Sequence, residues 1–91
     1  MPYRLKLDAY WGSQGWQVKI RDEERNEDPH VSFLRRARTW RWNLRTQAFM
    51  DKEPPPSDVP DELVDAVRSQ LALICTEWDR MYPVNPVKSE D

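Results

Sequence analysis

The chain has 91 residues, a net charge of −2, one cysteine, one histidine, five tryptophans and eight prolines. That length predicts one domain, which buries only roughly 60–65% of its unfolded surface, so the aromatic residues must supply much of the core. A single cysteine excludes an intramolecular disulfide and fits a reducing, cytoplasmic setting.

The longest apolar run, Leu71 to Cys75, is far short of a membrane span, and the first ten residues lack the apolar stretch of a signal peptide. Charge is unevenly placed. Residues 1–50 hold ten Lys/Arg against six Asp/Glu, a balance of +4, and residues 51–91 hold four against ten, a balance of −6. The split predicts a dipolar surface able to steer an anionic partner.

In chain order, Tyr3, Leu5 and Leu7 alternate with Arg4, Lys6 and Asp8, the pattern of a half-buried strand over about residues 3–10. Gly12-Ser13-Gln14-Gly15 holds both glycines and predicts a turn. Trp16, Val18 and Ile20 alternate in a second strand, 16–21, which pairs with the first as a hairpin.

Residues 22–28 form an acidic loop ending at Pro29. A third strand, 30–34, is expected to turn Val31 and Phe33 inward and His30 and Ser32 outward. Arg35-Arg36-Ala37 makes the next turn. The fourth strand, 38–45, then points Trp40, Trp42 and Leu44 inward and Thr39, Arg41, Asn43 and Arg45 outward.

Prolines 54, 55, 56 and 60 predict a stiff linker over 51–60. One helix is expected from about Pro60 to Met81, with Asp58 as its N-cap. Val64, Val67, Leu71, Ile74, Trp78 and Met81 form its apolar stripe, widened by Leu63 and Leu73. Residues 83–91 read as an extended or disordered tail. The predicted fold is α+β in two layers, a four-stranded antiparallel meander packed against one C-terminal helix.

The chemistry-bearing residues are few. One His and one Cys cannot supply a zinc site, the acidic loop lacks the ligand order of a calcium loop, and Gly12-x-x-Gly15 is too sparse to cradle a phosphate, so neither metal nor cofactor is expected. Cys75 falls in the apolar sector of the helix and reads as a small hydrophobe. His30 is the one imidazole and the sole candidate acid or base; with Arg41 or Arg45 nearby it could act on a phosphodiester in a metal-free ribonuclease.

The arginine-rich stretch points more strongly to binding than to catalysis. Arg4, Lys6, Lys19, Arg21, Arg41 and Arg45 fall on the outer face of the sheet. Arg35, Arg36 and Arg38 gather beside the Gly12–Gly15 turn, where Trp11 is a candidate anchor. Strand alternation sends Trp40 and Trp42 into the core, so phosphate attraction rather than base stacking is the expected mode. The binding set is therefore Arg35, Arg36, Arg38, Arg41 and Trp11. The partner is a nucleic acid or an acidic protein, with no membrane involved. The protein is expected to be a monomer or a weak homodimer, self-association using an edge strand or the flank at Leu63 and Leu73.

Asp28-Pro29-His30-Val31-Ser32-Phe33 resembles the Pro-Pro-His-Val-His-Val strand motif of a bacterial family of small uncharacterised proteins, and the likeness extends loosely over residues 3–80. The chain departs from the motif at Asp28 and Ser32, so only Pro29 and His30 carry over. The resemblance implies one member of a two-component, toxin–antitoxin-type pair.

Overall fold

A computed structural model describes residues 3–21 and 27–87. Four strands, β1 (Tyr3–Arg4), β2 (Trp16–Ile20), β3 (His30–Arg35) and β4 (Arg38–Asn43), form one antiparallel sheet in the order β1-β2-β3-β4. A short helix, α1 (Ala9–Ser13), joins β1 to β2, and two helices, α2 (Asp61–Arg68) and α3 (Leu71–Met81), follow the sheet. The α+β meander expected from the pattern is present.

Directly paired residues share a face of the sheet. Tyr3↔Ile20, Val18↔Phe33, Val31↔Trp42 and Phe33↔Trp40 therefore lie on one side. Their apolar side chains join Leu63, Val67, Ile74 and Trp78 of α2 and α3 in a single buried core. Arg4↔Lys19, Lys19↔Ser32, Ser32↔Arg41 and His30↔Asn43 lie on the other side.

Several expectations need correction. The first strand does not reach Tyr10. Leu5 still donates its N–H to the Val18 carbonyl at 2.8 Å, but the Asp8 carbonyl then accepts from Trp11 and Gly12 and opens α1. The turn shrinks to Gln14–Gly15, where Gly15 has φ +87° and so suits a residue without Cβ.

The fourth strand stops at Asn43 rather than Arg45. The Asn43 side-chain oxygen accepts from the backbone N–H of Arg45 and Thr46 and turns the chain. The segment that follows folds back along β4, with Asn43 N–H to Ala48 O at 2.8 Å, Met50 N–H to Arg41 O at 2.9 Å, and Phe49 bridged to Trp42. This closes part of the outer edge of the sheet.

The single helix is two. Ser69 Oγ donates to the Ala66 carbonyl at 2.7 Å, and Gln70 N–H bonds only three residues back, to Val67 O, so the i→i−4 ladder lapses between α2 and α3. Asp58 is not the cap. It ends a 3₁₀ turn, Pro56–Asp58, and Pro60 precedes α2 with no side-chain cap.

The C-terminal segment through Val87 is not loose. Trp78 Nε1 donates to Asn85 O at 2.7 Å, Val87 N–H to Asp79 Oδ1 at 2.9 Å, and Asn85 Nδ2 to Glu27 O at 2.7 Å. The Tyr82 hydroxyl donates to the Arg21 carbonyl. Residues 22–26 of the expected acidic loop and residues 88–91 of the expected tail lie outside the described residues.

Candidate functional site

The arginines expected to act together divide between the two ends of the sheet. Arg41 sits toward the end where β3 begins and β4 finishes. Its Nε and Nη2 hold both carboxylate oxygens of Asp51, at 2.8 and 2.6 Å, and its Nη1 bonds Glu27. These contacts raise the Arg41 pKa above its ordinary value, the Asp51 hydrogen bond most of all, and they lower that of Asp51. A guanidinium held by two carboxylates has little left for a phosphate, so Arg41 reads here as a cross-link between β4, the segment after it and the segment before β3.

Arg45 is similarly engaged. It donates to the Val87 carbonyl at 2.8 Å and the Pro86 carbonyl at 2.7 Å, with Asp28 3.8 Å away.

His30 corrects another expectation. It shares the polar face with Ser32 and Arg41, yet it is wholly buried. Its Nδ1 donates to the Asp28 carbonyl at 2.8 Å, and its ring lies 5.6 Å from Trp78. Ser32 is buried too, and its hydroxyl has no hydrogen-bond partner among the described residues. A substrate phosphodiester has no route to a wholly buried imidazole without rearrangement, which weighs against the ribonuclease reading.

Cys75 is half-buried against the core, and burial together with Asp79 pushes its thiol pKa up, away from the reactive thiolate. Among the described residues no His, Cys, Asp and Glu cluster could hold a metal ion.

The opposite end of the sheet is different. Arg35↔Arg38 closes the β3–β4 hairpin around a two-residue loop, and Arg36 takes φ +56° there. That left-handed conformation costs a non-glycine residue about 1–2 kcal/mol. Arg36 is exposed at the tip.

Arg35 is pre-oriented. Its Nε donates to the Gln14 carbonyl at 2.9 Å, and its guanidinium carbon lies 5.4 Å from the Trp16 ring centroid. Arg38 pairs with Asp58 at 3.2 Å, both side chains being well exposed. An open groove of about 520 Å³ runs between these groups, lined by Trp16, Arg35, Arg36, Arg38, Trp40 and Asp58. Trp40 is held by its Nε1 bond to the Pro55 carbonyl at 3.0 Å, so the groove wall is firm.

Trp11 is elsewhere. It is half-buried on α1, edge-on to Tyr10 at 4.9 Å, and it lines a separate recess with Lys6, Ala66, Ser69 and Gln70. Leu63, one half of the suggested self-association flank, is fully buried, and Leu73 remains 46% exposed on α3. Asp58 as a groove residue, and Asp51 as the partner of Arg41, carry no local sequence signal. Each meets its arginine only after the chain has doubled back.

Among the described residues no helix is long and apolar enough to cross a membrane. No family model matches the chain, and no match was found among curated proteins or solved structures.

Proposed function

We propose that this chain is a small binding module that captures an anionic partner, nucleic acid or an acidic protein, at the tip of the β3–β4 hairpin. The observation that carries this reading is the groove bordered by Arg35, Arg36 and Arg38, with Asp58 the one carboxylate among its described lining residues. The resemblance of residues 28–33 supports a place in a two-component pair. The wholly buried His30 favours binding over catalysis.

Reversing Arg36 and Arg38 to Glu is expected to weaken binding of a single-stranded oligonucleotide at least tenfold at low salt, by replacing two attractive phosphate contacts with repulsive ones. Fold stability should change by less than about 1 kcal/mol, since both side chains are exposed. Fluorescence anisotropy and urea unfolding measure the two effects. Unchanged affinity for both oligonucleotide and acidic peptide would remove the hairpin tip from the binding surface.

Asp58→Asn should act the other way. Arg38 is released from its ion pair, and affinity for the same oligonucleotide is expected to rise about threefold. A fall in affinity would mean that Asp58 contacts the ligand rather than competing with it.

A further inference from the structure

The antiparallel order places the start of β2, the end of β3 and the start of β4 at one end of the sheet, and the chain after β1 runs toward that end, Leu5 bonding Val18. Two grooves lie toward that end among the described residues. One is the hairpin-tip groove already described. The other, about 310 Å³, is lined by Arg4, Leu5, Lys6, Leu7, Gly12, Trp16 and Gln17.

Trp16 belongs to both and forms the wall between them. The Gln14–Gly15 turn just before it is tied to Arg35 through the Gln14 carbonyl. Arg4 and Lys6 are exposed and have no ion-pair partner among the described residues; Arg4 stands level with Lys19 and Ser32 on the polar face, so these cations flank Trp16 from the face opposite Arg35 and Arg38.

From this arrangement, and resting on the hairpin-tip reading above, we propose that the ligand is a single strand of nucleic acid lying across this end of the sheet. Arg35, Arg36 and Arg38 engage phosphates on one side of Trp16, and Arg4 and Lys6 engage them on the other.

The dimensions suit such a ligand. Three inter-strand spacings separate β1 from β4, about 14 Å. A stacked strand advances about 3.4 Å along its axis per nucleotide, so about four nucleotides cover that distance.

An acidic peptide fits less well. Peptides commonly gain affinity by adding a strand to a free sheet edge. Here β1 is two residues long, and β4 is partly covered by residues 48–50. Side-chain contact to a repeating backbone charge needs no free edge. Trp16 and Trp40 are both buried to 3% exposure, so they cannot present faces for base stacking, and recognition is of backbone rather than sequence.

The test is an amide NMR titration of the whole protein with an oligothymidylate of about eight nucleotides and with a thymidine dinucleotide, beside anisotropy on the longer oligomer. The long oligomer should shift amides around both Arg4–Lys6 and Arg35–Arg38, and the dinucleotide only one of these groups. Arg4→Glu with Lys6→Glu should lower affinity for the long oligomer about tenfold and reduce its salt slope by about two.

If that double variant binds like wild type while the Arg36, Arg38 reversal does not, the spanning strand is wrong and the hairpin-tip reading stands. If an oligoglutamate binds more tightly than the oligothymidylate, the partner class is wrong and the hairpin tip again survives. If wild type binds neither anion, both proposals fall.

Discussion

Trp78→Ala is expected to destabilise the protein by about 3–5 kcal/mol. Against the roughly 5–15 kcal/mol typical of small domains, that is enough to populate the unfolded state in mild urea. The indole is wholly buried, its ring lies 4.4 Å from Tyr82 and 5.6 Å from His30, and its Nε1 donates to Asn85 O at 2.7 Å. It thus joins α3, the start of β3 and the returning C-terminal segment at one point.

Two separate losses are involved, and a second variant divides them. Trp78→Phe keeps an aromatic ring but takes the indole donor away from the Asn85 carbonyl, and should cost about 1–2 kcal/mol. The amides of residues 85 and 87 should then exchange faster with solvent, since Val87 N–H and Asn85 Nδ2 depend on the same local geometry. Urea unfolding of both variants gives the comparison. A loss below about 1 kcal/mol for Trp78→Ala would show that the segment is not anchored through this residue.

Asp51→Asn should produce the second large effect, about 1–2 kcal/mol near neutral pH, together with a changed pH dependence. The figure is held low because the Arg41 and Asp51 side chains are each about one-third exposed. The Arg41 hydrogen bond is the main cause of the lowered Asp51 pKa, with the charges of Arg41 and His30 adding to it and desolvation opposing.

A carboxyl group whose folded pKa lies below its unfolded value of 3.8 stabilises the protein fully above that value. The contribution is lost as pH falls from there through the depressed folded pKa. Wild type and Asp51→Asn should therefore differ by a constant amount above the unfolded value and converge in more acidic solution. Urea midpoints measured across the acid range would show this, and curves that stay parallel into strong acid would rule out the Asp51 carboxylate as their source. Glu27 remains on Arg41 in the variant, so the guanidinium keeps one partner and the loss stays moderate.

The strands were legible because each carries its own two-residue alternation. Trp16, Val18 and Ile20, then Val31 and Phe33, then Trp40 and Trp42, declare one face without reference to the rest of the chain. The helical stripe was legible in the same way through Val67, Ile74 and Trp78.

Local pattern also misled where a tertiary contact outweighs it. Tyr3 to Leu7 alternate in burial as a strand should, yet the chain leaves the sheet after Leu7, and Trp11 packs on the core from α1. His30 and Ser32 hold the polar positions that alternation assigns them, but the His30 ring reaches Trp78 of the core, and Arg41 pairs with Glu27 and Asp51. Alternation gives the direction of a side chain and says nothing about what lies over it.

By itself, then, the amino-acid sequence determined the sheet order, the apolar face and the gathering of Arg35, Arg36 and Arg38 at a hairpin tip, because these follow from periodicity and short-range turns. Which arginines remain available was decided only in three dimensions. Arg41 meets Asp51 across ten residues and Arg45 meets Val87 across forty-two, while Arg35 is aimed by a carbonyl twenty-one residues away. An ion pair depends on distance in space, and no spacing along the chain encodes the folds that bring those partners together.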